Sequence, residues 1–303
     1  MLLIPNRMRL WIFLSLAVAI FHAAPAFSQE NEIIWAISDW PPVYVLNKGK
    51  TPDSAAQLGE GRSDIVLKEI IARLPNYRHR FIQENIVRTW SSFASGRHQC
   101  DAASYKNPER EKSAYFTTVG LGVSVAVIVR KDRLNHLNLA SPTVSLAHLA
   151  IDRTDLNGYI DAGRSFGASI DAILARDNVN LRRQVETHNG HLLHMLDSER
   201  MDYTLENPIV VEYMIRHNQF IHELTIIPIA EVPPIVPIYV ACSRNDWGKQ
   251  AINDIAKAIG DAAKKHTFRE TYTDFLPQEL AGKYHAQYEN FFNDLGKQTE
   301  QIK

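Results

Sequence analysis

The chain has 303 residues and nearly balanced charge, 33 Lys plus Arg against 34 Asp plus Glu, with two cysteines. That length can bury one large core or two ordinary ones. It carries no basic block able to neutralise a phosphate backbone, which argues against nucleic acid as a partner.

The first thirty residues, MLLIPNRMRLWIFLSLAVAIFHAAPAFSQE, set Arg7 and Arg9 ahead of an apolar run from Leu10 to Phe21 and close on small residues at Ala24, Ala26 and Ser28. This is the pattern of a secretory signal peptide over 1–28, cut ahead of Gln29, with a retained N-terminal anchor as the alternative. The apolar run is too short to span a bilayer. The exported remainder is mildly acidic, about −3. Both Cys100 and Cys242 lie in it, where thiols meet an oxidising compartment; one disulfide is expected, with two separately buried thiols as the alternative.

From there short β-rich runs alternate with helical stretches, the rhythm of an α/β chain with parallel strands. EIIWAIS reads as the first strand. It stops at DWPPVYV, where two prolines force an extended loop that presents Asp39, Trp40 and Tyr44. Ser63 or Asp64 then caps the helix DIVLKEIIARL, which ends at Pro75. The strand YRHRFIQ, the helix RTWSSFASG and the strand QCDAASY follow, then a polar turn, KNPERE. LGVSVAVIV, 121–129, reads as one buried strand. The charged stretch RKDRLNHL after it is read as a crossing between lobes. GYIDAGRSFG into ASIDAILARD, RRQVET into HLLHMLDSERM, and DYTLEN into IVVEYMIRH repeat the strand-then-helix unit. LTIIPIA and PIVPIYVACS precede the amphipathic helix QAINDIAKAIGDAAKK and a short helix, HTFRETYTDFL.

Four stretches carry a family likeness: DWPP after the first strand, DIVLKEIIARLP, the series from Trp90 through SSFASG to HQCDA, and NPEREKSAYFT with Glu109, Arg110, Phe116 and Thr117. Through them, from about Ile33 to Leu276, the chain resembles the extracellular solute-binding proteins of family three, the polar-amino-acid type that serves ABC transporters. The resemblance implies an α/β, type II periplasmic-binding-protein-like fold with a ligand cleft between two lobes. Lobe 1 would be 29–130 plus 235–280 and lobe 2 131–234, with 281–303 a C-terminal tail or helix. It places both cysteines on neighbouring strands of the first lobe.

Physics gives Arg110 a job of its own, since a guanidinium fork meets a carboxylate with two parallel charge-assisted bonds; the alternative is pairing with Glu109 or Glu111 on a solvated turn. The resemblance makes it the anchor of a ligand carboxylate. The hydroxyl cradle usual before that Arg is thinned here to Ala103-Ser104-Tyr105, leaving Tyr105 as a candidate contact. In the second lobe the expected ammonium-binding Asp falls on Asn207, with Glu206 beside it. Either Glu206 takes the role by a one-residue shift or the ligand is not an ordinary α-amino acid, because an amide cannot neutralise an ammonium. Trp40, Tyr44 and Trp90 are candidate covers for the ligand body, with lobe-core packing as the alternative.

Gly163-Arg164-Ser165-Phe166-Gly167 matches the Gly-x-Ser-x-Gly nucleophile elbow of hydrolases. LNGYIDA before it is a poor buried strand, and no oxyanion loop precedes it. The stretch is therefore read as a strand-to-helix turn of the second lobe, where the resemblance puts a ligand-contacting loop, with Ser165 a donor, Arg164 a second anion clamp or a solvated charge, and the helix after it offering free N–H groups to an anion. His188, His191 and His194 are read as surface histidines rather than metal ligands, and no cofactor is expected. The chain is expected to be a monomeric, periplasmic, non-enzymatic binding protein for a small carboxylate-bearing, amino-acid-like solute. Its expected membrane partner is an ABC permease, or alternatively a sensor. A dehydratase on the same fold, with Glu206 or Asp39 as general acid, is the catalytic alternative.

Overall fold

The computed structural model describes residues 31–137, 142–185, 190–276 and 278–298. The leader and His188 lie outside them. Among the described residues ten strands, β1 (Glu32–Ile37), β2 (Arg78–Gln83), β3 (Gln99–Ser104), β4 (Ala114–Val123), β5 (Ala126–Arg130), β6 (Gly158–Asp161), β7 (Leu181–Gln184), β8 (Tyr203–Glu206), β9 (Leu224–Pro228) and β10 (Ile235–Ser243), form two five-stranded sheets. Their orders are β2-β1-β3-β10-β4 and β7-β6-β8-β5-β9. Each has the same design: three parallel strands, then an antiparallel strand inserted beside the third. In the first sheet that strand is β10, returned from late in the chain; in the second it is β5. The chain therefore crosses between lobes twice, after β4 and after β9.

The first crossing corrects the sequence reading. Residues 121–129 are two strands, since β4 ends at Val123 in the first sheet and β5 starts at Ala126 in the second. The crossing thus lies at Ser124 and Val125, ahead of the charged stretch from Arg130. The cause is distant in sequence. Ser124 donates its N–H to Pro234 O at 2.9 Å and its hydroxyl to Pro233 O, so the two crossing segments bind each other and leave the ladders there. β4 also begins at Ala114, seven residues ahead of the strand expected from Leu121.

Among the described residues eight α-helices cover the sheets: α1 (Arg62–Ile71), α2 (Ile86–Ala94), α3 (Ala168–Leu174), α4 (His191–Asp197), α5 (Pro208–His217), α6 (Asp246–Ala262), α7 (His266–Thr273) and α8 (Gln278–Gln298). The segment expected as tail or helix is thus helical through Gln298. α8 packs Phe292 against Phe268 and Tyr272 of α7, and Arg269 donates to Glu289 and Asn293. Tyr272 lies flat on β4, where a Cβ on Gly120 would come within 2.1 Å of its ring, so only glycine fits under it. The apolar cores follow the sheets. Ile33, Trp35, Ile37, Val240 and Cys242 belong to the larger cluster, and Val127, Val129, Ile160 and Leu205 to the cluster on one side of the second sheet.

Cys100 and Cys242 form a disulfide between β3 and β10, directly opposite in the antiparallel register. The expected bridge between neighbouring strands is present.

α1 starts earlier than its sequence cap. Gly61 is the N-cap, and Asp64, at the third helical position, accepts from Gly61 N at 3.1 Å and from Val45 N at 2.8 Å with one oxygen. Its other oxygen is buried without a hydrogen-bond partner, and burial pushes the carboxyl up to about 6. An acid whose folded pKa exceeds the unfolded value stabilises the fold while protonated, and that contribution disappears as pH rises through the folded pKa. Raising the pH from about 4 to about 7 should therefore lower wild-type stability relative to Asp64→Asn by on the order of 1–2 kcal/mol. Paired melts across that range check it; a pH-independent difference would remove the assignment.

Candidate functional site

Between the lobes lies a cleft of about 840 Å³, within the size range of small-molecule sites. Its walls come from the ends of parallel strands: Ser38, Asp39 and Trp40 after β1, Glu84 to Ile86 and Arg88 after β2, Tyr105 and Arg110 after β3, and Asp161, Arg164 and Ser165 at β6. Carboxyl ends of strands are where open α/β sheets bind ligands, because the chain leaves the sheet there and exposes loop side chains and helix starts.

Arg110 is the most deeply placed cation of this wall, 8% exposed. Its guanidinium lies 4.1 Å from the centre of the Trp90 ring and donates to Tyr105 O at 3.0 Å and Gly163 O at 3.1 Å. Burial pushes it down to about 10, so it stays protonated at neutral pH. The surface-pairing alternative fails for a visible reason: Glu109 pairs with Lys112 and Glu111 with Lys106. Trp90 is thus the floor beneath Arg110, outside the cleft wall. Tyr44 is also absent from the wall. The turn over the cis Pro41-Pro42 bond, closed by Tyr44 N and Val43 N on Trp40 O, leaves Trp40 in the cleft and buries Tyr44 in the lobe core.

The turn after β6 closes the opposite wall. Gly163 has φ +77°, and a Cβ there would come within 2.8 Å of Val87, so its backbone abuts α2 of the first lobe. Ser165 donates to Asp171 and accepts from Asn107 Nδ2 and Gly167 N, while Phe166 N donates to Asp171. Two N–H groups ahead of the helix, those of Phe166 and Gly167, are therefore taken by the turn's own carboxylate and hydroxyl, while α3 itself carries no side-chain cap. Asn107 Nδ2 also reaches Asp171 at 2.7 Å, so Asn107 and Arg110 join the lobes through hydrogen bonds.

Arg164 is neither a solvated charge nor an open clamp. It forms a two-pronged pair with Glu206, 2.6 and 2.5 Å, beneath Trp40 at 4.8 Å and Phe166 at 5.1 Å. Asn207 serves α5 as its N-cap, accepting from Ile209 N, and its amide donates to Val123 O. Neither Glu206 nor Asn207 reaches the cleft wall. Sequence reasoning missed Glu84, Asn85, Ile86, Arg88 and Asp161; their only signal was position at or just past the end of a strand. Glu84 is held by Arg97 and Gln99. Among the described residues no group of three or more His, Cys, Asp and Glu could hold a metal ion, and no helix is long and apolar enough to cross a membrane.

No protein-family model matches the sequence, and no curated protein matches it. Solved structures match its shape. An ancestral arginine-binding protein bound to arginine superposes with a TM-score of 0.61 at 17% identity, covering 82% of this chain and 99% of that one. An amino acid ABC transporter substrate-binding protein from Streptococcus pneumoniae, bound to L-arginine, gives 0.59 at 17% identity, covering 82% and 96%. The fold is that of the two-lobed periplasmic binding proteins. A histidine kinase sensor domain with similarity to periplasmic binding proteins shares it too, with a TM-score of 0.62 at 15% identity, covering 81% and 96%. These identities establish architecture alone, and what fills the cleft has to be argued from its own residues.

Proposed function

We propose that this chain is an exported, periplasmic solute-binding protein that closes its lobes on a small carboxylate-bearing solute of amino-acid size and delivers it to an ABC permease. The observation that carries the reading is Arg110: a buried, protonated guanidinium on the wall of an interlobe cleft, hydrogen-bonded to neutral carbonyls. A carboxylate can replace those carbonyls with two charge-assisted bonds, which is a gain only a charged ligand offers. Trp40 covers the body of the ligand from the first lobe, and Tyr105 and Asp39 line the path to it. The two crossing segments, tied at Ser124, are the hinge about which the lobes move.

A second reading, delivery of the ligand signal to a membrane sensor, draws support from the likeness to a kinase sensor domain. Permease and ATPase genes beside this one favour transport; a sensor kinase gene favours signalling. The test of binding itself is a thermal-shift panel of amino acids, peptides and organic acids on the mature protein. A ligand that binds only the native state at 100 times its Kd stabilises by about 2.7 kcal/mol. A panel without any shift would remove the cleft reading.

A further inference from the structure

The cleft already contains a cation of its own. Arg164 places its guanidinium against both oxygens of Glu206 and over the rings of Trp40 and Phe166, with each partner of the pair 11% exposed. A carboxylate paired fork to fork with aromatic faces on the guanidinium is how a protein holds a free guanidinium or ammonium ligand. Here the cation is covalently attached. Glu206 also accepts from Asn207 N, and the Asn207 side chain is occupied at both ends by Ile209 N and Val123 O. At the end of β8, where the resemblance placed an ammonium contact, both acceptor oxygens are therefore taken.

Resting on the proposed binding role, we infer that Arg164 is a built-in ligand surrogate that excludes ammonium and guanidinium groups. The solute is then a small organic acid with one or two carboxylates, of amino-acid size and without an ammonium group. An incoming ammonium must either displace Arg164 from Glu206 or sit beside its positive charge, and both cost affinity in a low-dielectric site. A hydroxy or dicarboxylic acid meets no such obstacle. Its carboxylate takes Arg110, and the rest of it meets Arg164, the member of the pair that lines the cleft.

The experiment titrates wild-type protein and Arg164→Ala with matched pairs that differ in the amino group: succinate and aspartate, glutarate and glutamate, propionate and alanine, together with methylguanidinium. In the wild type the deaminated member of at least one pair should bind at least about 100-fold tighter, the equivalent of two lost charged hydrogen bonds. Arg164→Ala should reverse that order or gain methylguanidinium, because Glu206, Trp40 and Phe166 are left with an empty cation seat. If Arg164→Ala does not fold, Arg164→Gln keeps the volume while freeing the carboxylate from its cation, and the same reversal is expected. Wild-type protein binding an amino acid as tightly as its deaminated partner would overturn this inference and leave the cleft reading standing. Silence from every probe on the wild type and both variants would overturn the two together.

Discussion

On the proposed binding role, Arg110→Ala should lower affinity for a carboxylate ligand at least about 100-fold while leaving the ligand-free protein folded. The two effects separate because the guanidinium is doing different things in the two states. Without ligand its hydrogen bonds go to Tyr105 O and Gly163 O, neutral acceptors on the cleft wall. Water can replace the lost side chain there, and the variant is relieved of desolvating a buried cation. With ligand, each charge-assisted bond to a carboxylate contributes about 1.5–3 kcal/mol, so losing two costs two or more decades in Kd. Arg110→Lys should recover little, since an ammonium neither lies flat on Trp90 nor offers two parallel donors. Calorimetric titration of the ligand identified by the panel, with far-UV spectra and melts of the unliganded variants, reads both. Unchanged affinity in Arg110→Ala would show that the anion is held elsewhere.

What the sequence made legible was whatever depends on near neighbours. The apolar run at Ile33–Ile37 reads as a buried strand, and the polar turn at Asn107–Arg110 drew attention to Arg110, which lines the cleft. Features set by distant partners were not legible. The Val-rich run around Ser124 has the same composition on both sides, and the break in it is made by the carbonyls of Pro233 and Pro234, about 110 residues later. Trp40 and Tyr44 are equivalent aromatics in one loop until the turn sends one outward and one inward. Arg164 reads in sequence as an anion clamp or a solvated charge, because its counterion sits 42 residues on, at the end of β8, which only the sheet brings beside β6. Even the Gly-x-Ser-x-Gly stretch is explained only in three dimensions, where Ser165 bonds the carboxylate of Asp171 and the amide of Asn107.

The double substitution Cys100→Ala with Cys242→Ala should lower the free energy of unfolding by about 2–4 kcal/mol and the melting temperature by about 5–15 °C. The bridge joins residues 142 positions apart, so most of its contribution comes from restricting the unfolded chain. It also ties the one strand of the first sheet that returns from the far lobe, β10, to β3, whose end leads into Tyr105 and Arg110. Alanine is the better probe than serine, because both cysteines are fully buried and a hydroxyl there would add its own desolvation cost. Reductant should lower the wild-type melting temperature toward that of the variant and leave the variant unmoved. Equal melting temperatures for the oxidised wild type and the variant would mean that β10 is held in place by its ladders with β3 and β4 alone. In that case solute affinity should not respond to reductant either; with the bridge contributing, reduction loosens the seat of Arg110 and affinity falls with stability.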